Sequence, residues 1–153
     1  FVLNFHAAPL PKYGGSAGPA FALINSEKEF GCTFQKMETE LDSGPIIEKF
    51  MFEIESTMTS FDIDKKAIDV GESNLLNTLN NYFFKEKKFT YIEPTKLIVN
   101  KREYLKKFSF IKKEDLNNVK SIQIIKALTW PGVLDPAYTV IENQKVYLIY
   151  NQN

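Results

Sequence analysis

Asn4-Phe5-His6-Ala7-Ala8-Pro9-Leu10-Pro11-Lys12-Tyr13-Gly14-Gly15 is the stretch on which the reading of this chain turns. Before it, Phe1-Val2-Leu3 is apolar and carries no capping or turn residue, so residues 1–5 read as a short buried strand. Within it and just beyond, Pro9, Pro11, Gly14, Gly15 and Gly18 exclude a helix and mark 6–18 as a long, shaped loop. Side chains alternate along a strand, so Asn4 and His6 leave on the same face. They do so near a strand's end beside a Pro/Gly loop, where open α/β sheets place their sites. His6 is the only histidine. A lone histidine is more often structural than catalytic, but this setting argues the other way. An amide donor beside an imidazole suits stabilisation of a negatively charged tetrahedral intermediate. The two do not form a nucleophile-and-base pair.

Working outward, small and apolar residues over 20–24 have helical character, ending at Asn25-Ser26. Residues 32–37 alternate and are rich in aromatic and branched side chains, as a strand requires. A polar turn, Glu40-Leu41-Asp42-Ser43-Gly44-Pro45, separates that strand from a second over 46–54. If these strands pair beside the first, the Asp42 carboxylate reaches the imidazole and orients or charges it. The bland alternative is a solvated turn aspartate. Ser43 and Cys32 are nucleophiles in principle, but no second histidine serves either, and Cys32 fits a small buried strand residue better.

Over 60–84 the apolar period lengthens to three and four residues. This predicts one amphipathic helix, or two broken near Gly71, capped by Thr57 or Ser60 and ended by the lysines of 85–88. Lysines mix with Phe108, Phe110 and Ile111 over 106–113. A helical pattern over 117–128 then stops at Pro131-Gly132. Tyr138-Thr139-Val140-Ile141 and Val146-Tyr147-Leu148-Ile149 flank a short polar turn and predict a β-hairpin.

Composition narrows the function classes. A length of 153 residues suits one ordinary domain. Nineteen Lys plus Arg balance nineteen Asp plus Glu, which argues against electrostatic gripping of nucleic acid or of an anionic membrane. A hydrophobic content of 44% excludes intrinsic disorder. A single cysteine excludes an internal disulfide framework, and with one histidine it leaves no clustered metal-ligand set. No apolar stretch is long enough to span a bilayer and no signal peptide opens the chain, so a soluble cytoplasmic protein is expected. Gly14-Gly15-Ser16-Ala17-Gly18 resembles a phosphate loop only superficially, since it lacks the lysine. Arg102 is the only arginine, which weakens any reading built on bidentate phosphate recognition. Met37, Met51 and Met58 read as gap-fillers.

The quoted stretch resembles the Asn-x-His … Leu-Pro-x-x-x-Gly signature of the folate-dependent formyltransferases. Gly31-Cys32-Thr33, followed by Leu41-Asp42-Ser43-Gly44-Pro45-Ile46-Ile47, resembles the same family's Gly-Val-Thr and Asp-Thr/Ser-Gly-x-Ile-Ile segment. The resemblance implies formyl transfer from N10-formyltetrahydrofolate to an amine. By position, Asn4 would polarise the formyl oxygen and His6 would stabilise the oxyanion. Asp42 would hold and charge the imidazole while helping to remove the amine proton. Thr39, Glu40 and Leu41 would supply backbone contacts to the pterin. Ala8, Pro9 and Gly14 depart from the family's frequent Ser, Leu and basic residue.

Ile124-Ile125-Lys126-Ala127-Leu128-Thr129-Trp130-Pro131-Gly132, with Ala137-Tyr138, resembles a segment that follows the catalytic domain in sugar-nucleotide and methionyl-tRNA formyltransferases. Zero net charge disfavours tRNA, so an amino-sugar nucleotide is the leading acceptor, with no nucleic acid or membrane partner. The implied fold is α/β: a formyltransferase-like, Rossmann-like mixed sheet, present as its C-terminal part. Residues 1–90 would belong to the catalytic domain, and 91–153 would form a helix-plus-hairpin appendage. Because family members carry βαβ units before the Asn-x-His strand, the chain is expected to be the C-terminal part of a longer enzyme. An exposed sheet edge would then promote association, a homodimer being one outcome. Two further readings stay open: a non-catalytic binding module of the same fold, and hydrolysis of the formyl donor.

Overall fold

The computed structural model describes residues 2–84 and 98–151. The site rests on β1 (Leu3–His6), β2 (Gly14–Gly15), α1 (Gly18–Ile24), β3 (Glu29–Lys36), β4 (Ile46–Glu53) and α2 (Ser60–Leu79). β3 lies between β1 and β4 and pairs antiparallel with both. The first strand begins later than the sequence pattern suggests and ends on His6, with Phe1 outside the described residues. Asn4 stands opposite Gln35, and His6 opposite Thr33.

Alternation along β3 gives the sheet two different faces. Phe30, Cys32 and Phe34 point to one of them and are fully buried. There the Phe5 and Phe34 rings pack 5.3 Å apart, and Ile63 and Ala67 of α2 join the same core. Thr33 and Gln35 point to the other face and are equally buried. The loop after β1 closes over Thr33, whose hydroxyl accepts from the Leu10 amide at 3.0 Å and donates to the Ala8 carbonyl at 2.8 Å. Further along, the loop forms a two-residue parallel ladder between β2 and β5 (Val99–Asn100), so the chain is α/β with both kinds of strand pairing.

α2 runs unbroken through Gly71. The glycine marks a close approach to β1, because a Cβ there would overlap the Phe5 ring. The N-cap is Thr59 rather than Thr57 or Ser60. Its hydroxyl accepts from the Asp62 amide while the Asp62 carboxylate accepts from the Thr59 amide, forming a reciprocal capping box. Ser60 Oγ instead donates to the Thr129 carbonyl, tying the helix start to the C-terminal region. A π-helical turn, Asn80–Phe84, continues the helix. The lysines expected to end it, and the boundary expected near residue 90, lie outside the described residues.

Beyond two short 3-10 segments lies α3 (Val119–Leu128), capped by Asn118 Oδ1, which accepts from the Lys120 amide at 2.8 Å. The hairpin of β6 (Ala137–Ile141) and β7 (Gln144–Leu148) turns through Glu142 and Asn143, both at positive φ. Ala127, Leu128 and Ala137 share one core with Ala20, Ala22 and Leu23 of α1. Met58 packs against that core, whereas Met37 and Met51 are about half exposed and fill no gap. No helix among the described residues is long and apolar enough to cross a membrane.

Because the Gly71–Phe5 contact locks α2 to β1, Gly71→Leu should destabilise the chain by about 2 kcal/mol through overpacking, read from urea denaturation.

Candidate active site

His6 closes β1, and the loop after it curls back so that the Tyr13 carbonyl lies 3.0 Å from Nε2. A carbonyl only accepts, so Nε2 carries a proton. Nδ1 faces Asp42 Oδ1 at 3.4 Å, and this contact becomes an ion pair when the ring holds both protons. The second carboxylate oxygen, Oδ2, accepts from the Gly15 amide at 2.7 Å. Asp42 is buried, and its backbone is left-handed at φ 53. Short polar residues tolerate that conformation better than most. The solvated turn aspartate is therefore not what the fold builds.

Packing holds both ends of this arrangement. The Asp42 turn lies flat on β3, where the Lys36 amide donates to the Pro45 carbonyl at 3.0 Å. Gly44 makes this approach feasible, since a Cβ there would overlap the Lys36 carbonyl. Ser43 Oγ donates to the Glu40 carbonyl at 2.9 Å and so closes the turn. On the loop side, the Tyr13 ring packs 5.7 Å from Phe30, and its hydroxyl donates to Glu27 Oε1 at 3.0 Å and accepts from Asn25 Nδ2 at 3.3 Å. Burial pushes the Tyr13 phenol up to about 12; the Asn25 hydrogen bond opposes this rise and Glu27 adds to it. Lys12 beside Glu27 holds that carboxyl below its ordinary range.

Asn4, His6, Gln35 and Asp42 line a hollow of about 490 Å³ together with the segment from Met37 to Leu41. Such a volume suits a small organic ligand. The amides of Thr39, Glu40 and Leu41 donate to no other described residue, so they are free to meet a ligand at the rim. The structure thus gathers all six residues singled out in the sequence around one hollow. Gln35 was missed. Its only signal is alternation along β3, which becomes informative once β1 is known to pair there. Burial pushes the Cys32 thiol up to about 11, which removes it as a nucleophile at neutral pH. Among the described residues no three His, Cys, Asp or Glu side chains gather to hold a metal ion. An amide, an imidazole and a carboxylate so arranged can polarise a carbonyl and handle a proton.

Comparison with known proteins matches residues 1–79 to the family model described as formyl transferase. A methionyl-tRNA formyltransferase of Streptococcus agalactiae is 41% identical over 85 residues, which are 54% of this chain and 26% of that protein. The chain thus spans about a quarter of the length of the curated relatives it matches. Among solved structures, a 4-N formyltransferase from Francisella tularensis superimposes at TM-score 0.73 with 26% identity, covering 96% of this chain and 60% of that one. An N-formyltransferase from Helicobacter canadensis, solved with folinic acid and dTDP-3-aminofucose, has the same fold at TM-score 0.70 and 20% identity, covering 95% and 52%.

Gly44→Ala should lift the Asp42 turn off β3 and cost about 1–3 kcal/mol in urea denaturation. The Tyr13 phenol holds its proton more tightly folded than unfolded, so stability should fall between pH 10 and about 12, where the unfolded chain ionises first. Tyr13→Phe should remove that part of the alkaline decline, and an unchanged decline in denaturation midpoints would refute the assignment.

Proposed function

The chain belongs to the formyl transferase family, and from that premise we propose that it transfers a formyl group from N10-formyltetrahydrofolate to the amino group of an amino-sugar nucleotide. The observation that carries this reading is the His6–Asp42 pair at 3.4 Å beside Asn4, on the wall of a ligand-sized hollow. The unpaired amides of Thr39, Glu40 and Leu41 suit a heteroaromatic ring rich in donors and acceptors, as a pterin is. The donor brings an activated formyl carbon on nitrogen, so the protein needs no nucleophile of its own.

Asn4 offers an amide N–H to the formyl oxygen and stabilises it as the amine adds to the carbon. Both His6 nitrogens are already engaged, with Tyr13 and with Asp42. The imidazole therefore contributes mainly through its field, in a partly buried site where such a field is stronger than in water. Asp42 orients the ring and accepts the amine proton, directly or through one water. A new C–N bond forms to the acceptor, the bond from the formyl carbon to N10 breaks, and N10 leaves protonated. Residues 1–90 would carry this chemistry and 91–153 the appended helix and hairpin, in a cytoplasmic enzyme and with a homodimer as its assembly.

Methionyl-tRNA is the second acceptor, favoured by the 41% identity of the catalytic segment to a tRNA enzyme. Balanced charge speaks against it, since tRNA binding draws on a basic surface.

In the complete gene product, Asn4→Ala, His6→Ala and Asp42→Ala should each lower turnover on the order of a hundredfold or more. Near-native turnover in all three would sink the assignment. Parallel assays with dTDP-3-aminofucose and with methionyl-tRNA separate the two acceptors, and formate released without either acceptor would indicate donor hydrolysis.

A further inference from the structure

Gln35 is only 2% exposed, lines the hollow, and its Oε1 has no hydrogen-bond partner. A buried acceptor without a donor is costly, and such groups persist where something supplies the donor in another state. Its neighbour in register is Asn4. Directly opposed residues of an antiparallel pair point to the same face with Cβ atoms about 4.5–5.5 Å apart, within reach of two amide side chains. The Asn4 side chain itself bonds to no other described residue.

We infer that Gln35 is a positioning residue for Asn4, its Oε1 accepting one Asn4 Nδ2–H so that the other faces the substrate's carbonyl oxygen. The inference rests on the reading of the site above. An asparagine amide can present either its oxygen or its nitrogen to a ligand, and only its neighbours decide which. With the oxygen forward, Asn4 would repel the formyl oxygen. Two other polar side chains nearby are already committed, Thr33 to Leu10 and Ala8, and Asp42 to Gly15 and His6. The Gln35 carbonyl is the buried, unpartnered acceptor that stands directly opposite Asn4 in the sheet.

The test is a double-mutant cycle in the complete gene product, with N10-formyltetrahydrofolate and dTDP-3-aminofucose as substrates. The near-isosteric Gln35→Met should lower kcat roughly tenfold with KM for the sugar nucleotide unchanged, about what one hydrogen bond supplies. In an Asn4→Ala background the same change should have no further effect. The unfolding midpoint should not fall, because the change deletes an orphaned oxygen. Wild-type kcat in Gln35→Met, an equal loss in the Asn4→Ala background, or a kcat loss matched by a falling midpoint would each overturn the inference. Full turnover in Asn4→Ala alone would instead overturn the reading of the site. Should Gln35→Met fail to fold, the wild-type protein decides. Binding 5-formyltetrahydrofolate should slow exchange of one Asn4 side-chain N–H in NMR spectra, and an unchanged pair overturns the proposal.

Discussion

The Asp42 carboxylate is the point on which the arrangement of this chain converges. One oxygen takes the Gly15 amide, and the other faces His6. Three segments are thereby joined: the end of β1, the glycine loop beyond it, and the turn between β3 and β4. A buried carboxylate is stable only when its oxygens are satisfied. The loop must therefore return to exactly one place on the sheet, and His6 must point toward it. Gly44 under the turn and Tyr13 anchored on Phe30 and Glu27 are the packing devices that enforce this.

The two faces of β3 divide the work. One is apolar and covered by α2, and its tight contact at Gly71 against Phe5 makes the strand a rigid floor. The other carries Thr33 and Gln35, which are buried despite their polarity. Thr33 is fully paired and belongs to the architecture of the loop. Gln35 is not paired, so burial there is tolerated rather than stabilising. That contrast on one strand face separates a polar group that builds the loop from one left to orient a neighbouring side chain. The stable floor lets a few polar side chains be placed with the accuracy that stabilising a developing charge demands.

Much of this was legible in the residues. The Asn4/His6 pair, the Pro/Gly loop and the Asp42 turn each follow from alternation and turn chemistry. The 3.6-residue period of α2 and the hairpin around Glu142 and Asn143 are likewise local signals. Other features were not legible. Thr59 wins the cap because Ser60 is drawn to the Thr129 carbonyl, a contact 69 residues away in sequence. Gly71 resembled a helix break because the ring that requires it lies on another element. Met37 and Met51 resembled core residues because hydrophobicity alone does not say which side of a strand is covered. The β2–β5 ladder leaves no mark in the sequence because a pair of glycines has no pattern of its own.

The sequence by itself carried the motifs that resemble the family, most of the elements, and the candidate residues Asn4, His6 and Asp42. The elements follow from backbone preference and periodicity, and the family and the roles of those residues from the resemblance of the motifs. Only the tertiary structure decided the partners. It engaged both nitrogens of His6, gave Asp42 a backbone donor from the glycine loop, and set Gln35 across from Asn4 with an empty acceptor. Hydrogen-bond partners depend on register and loop closure. Both are settled by the packing of distant segments, which no local stretch of sequence contains.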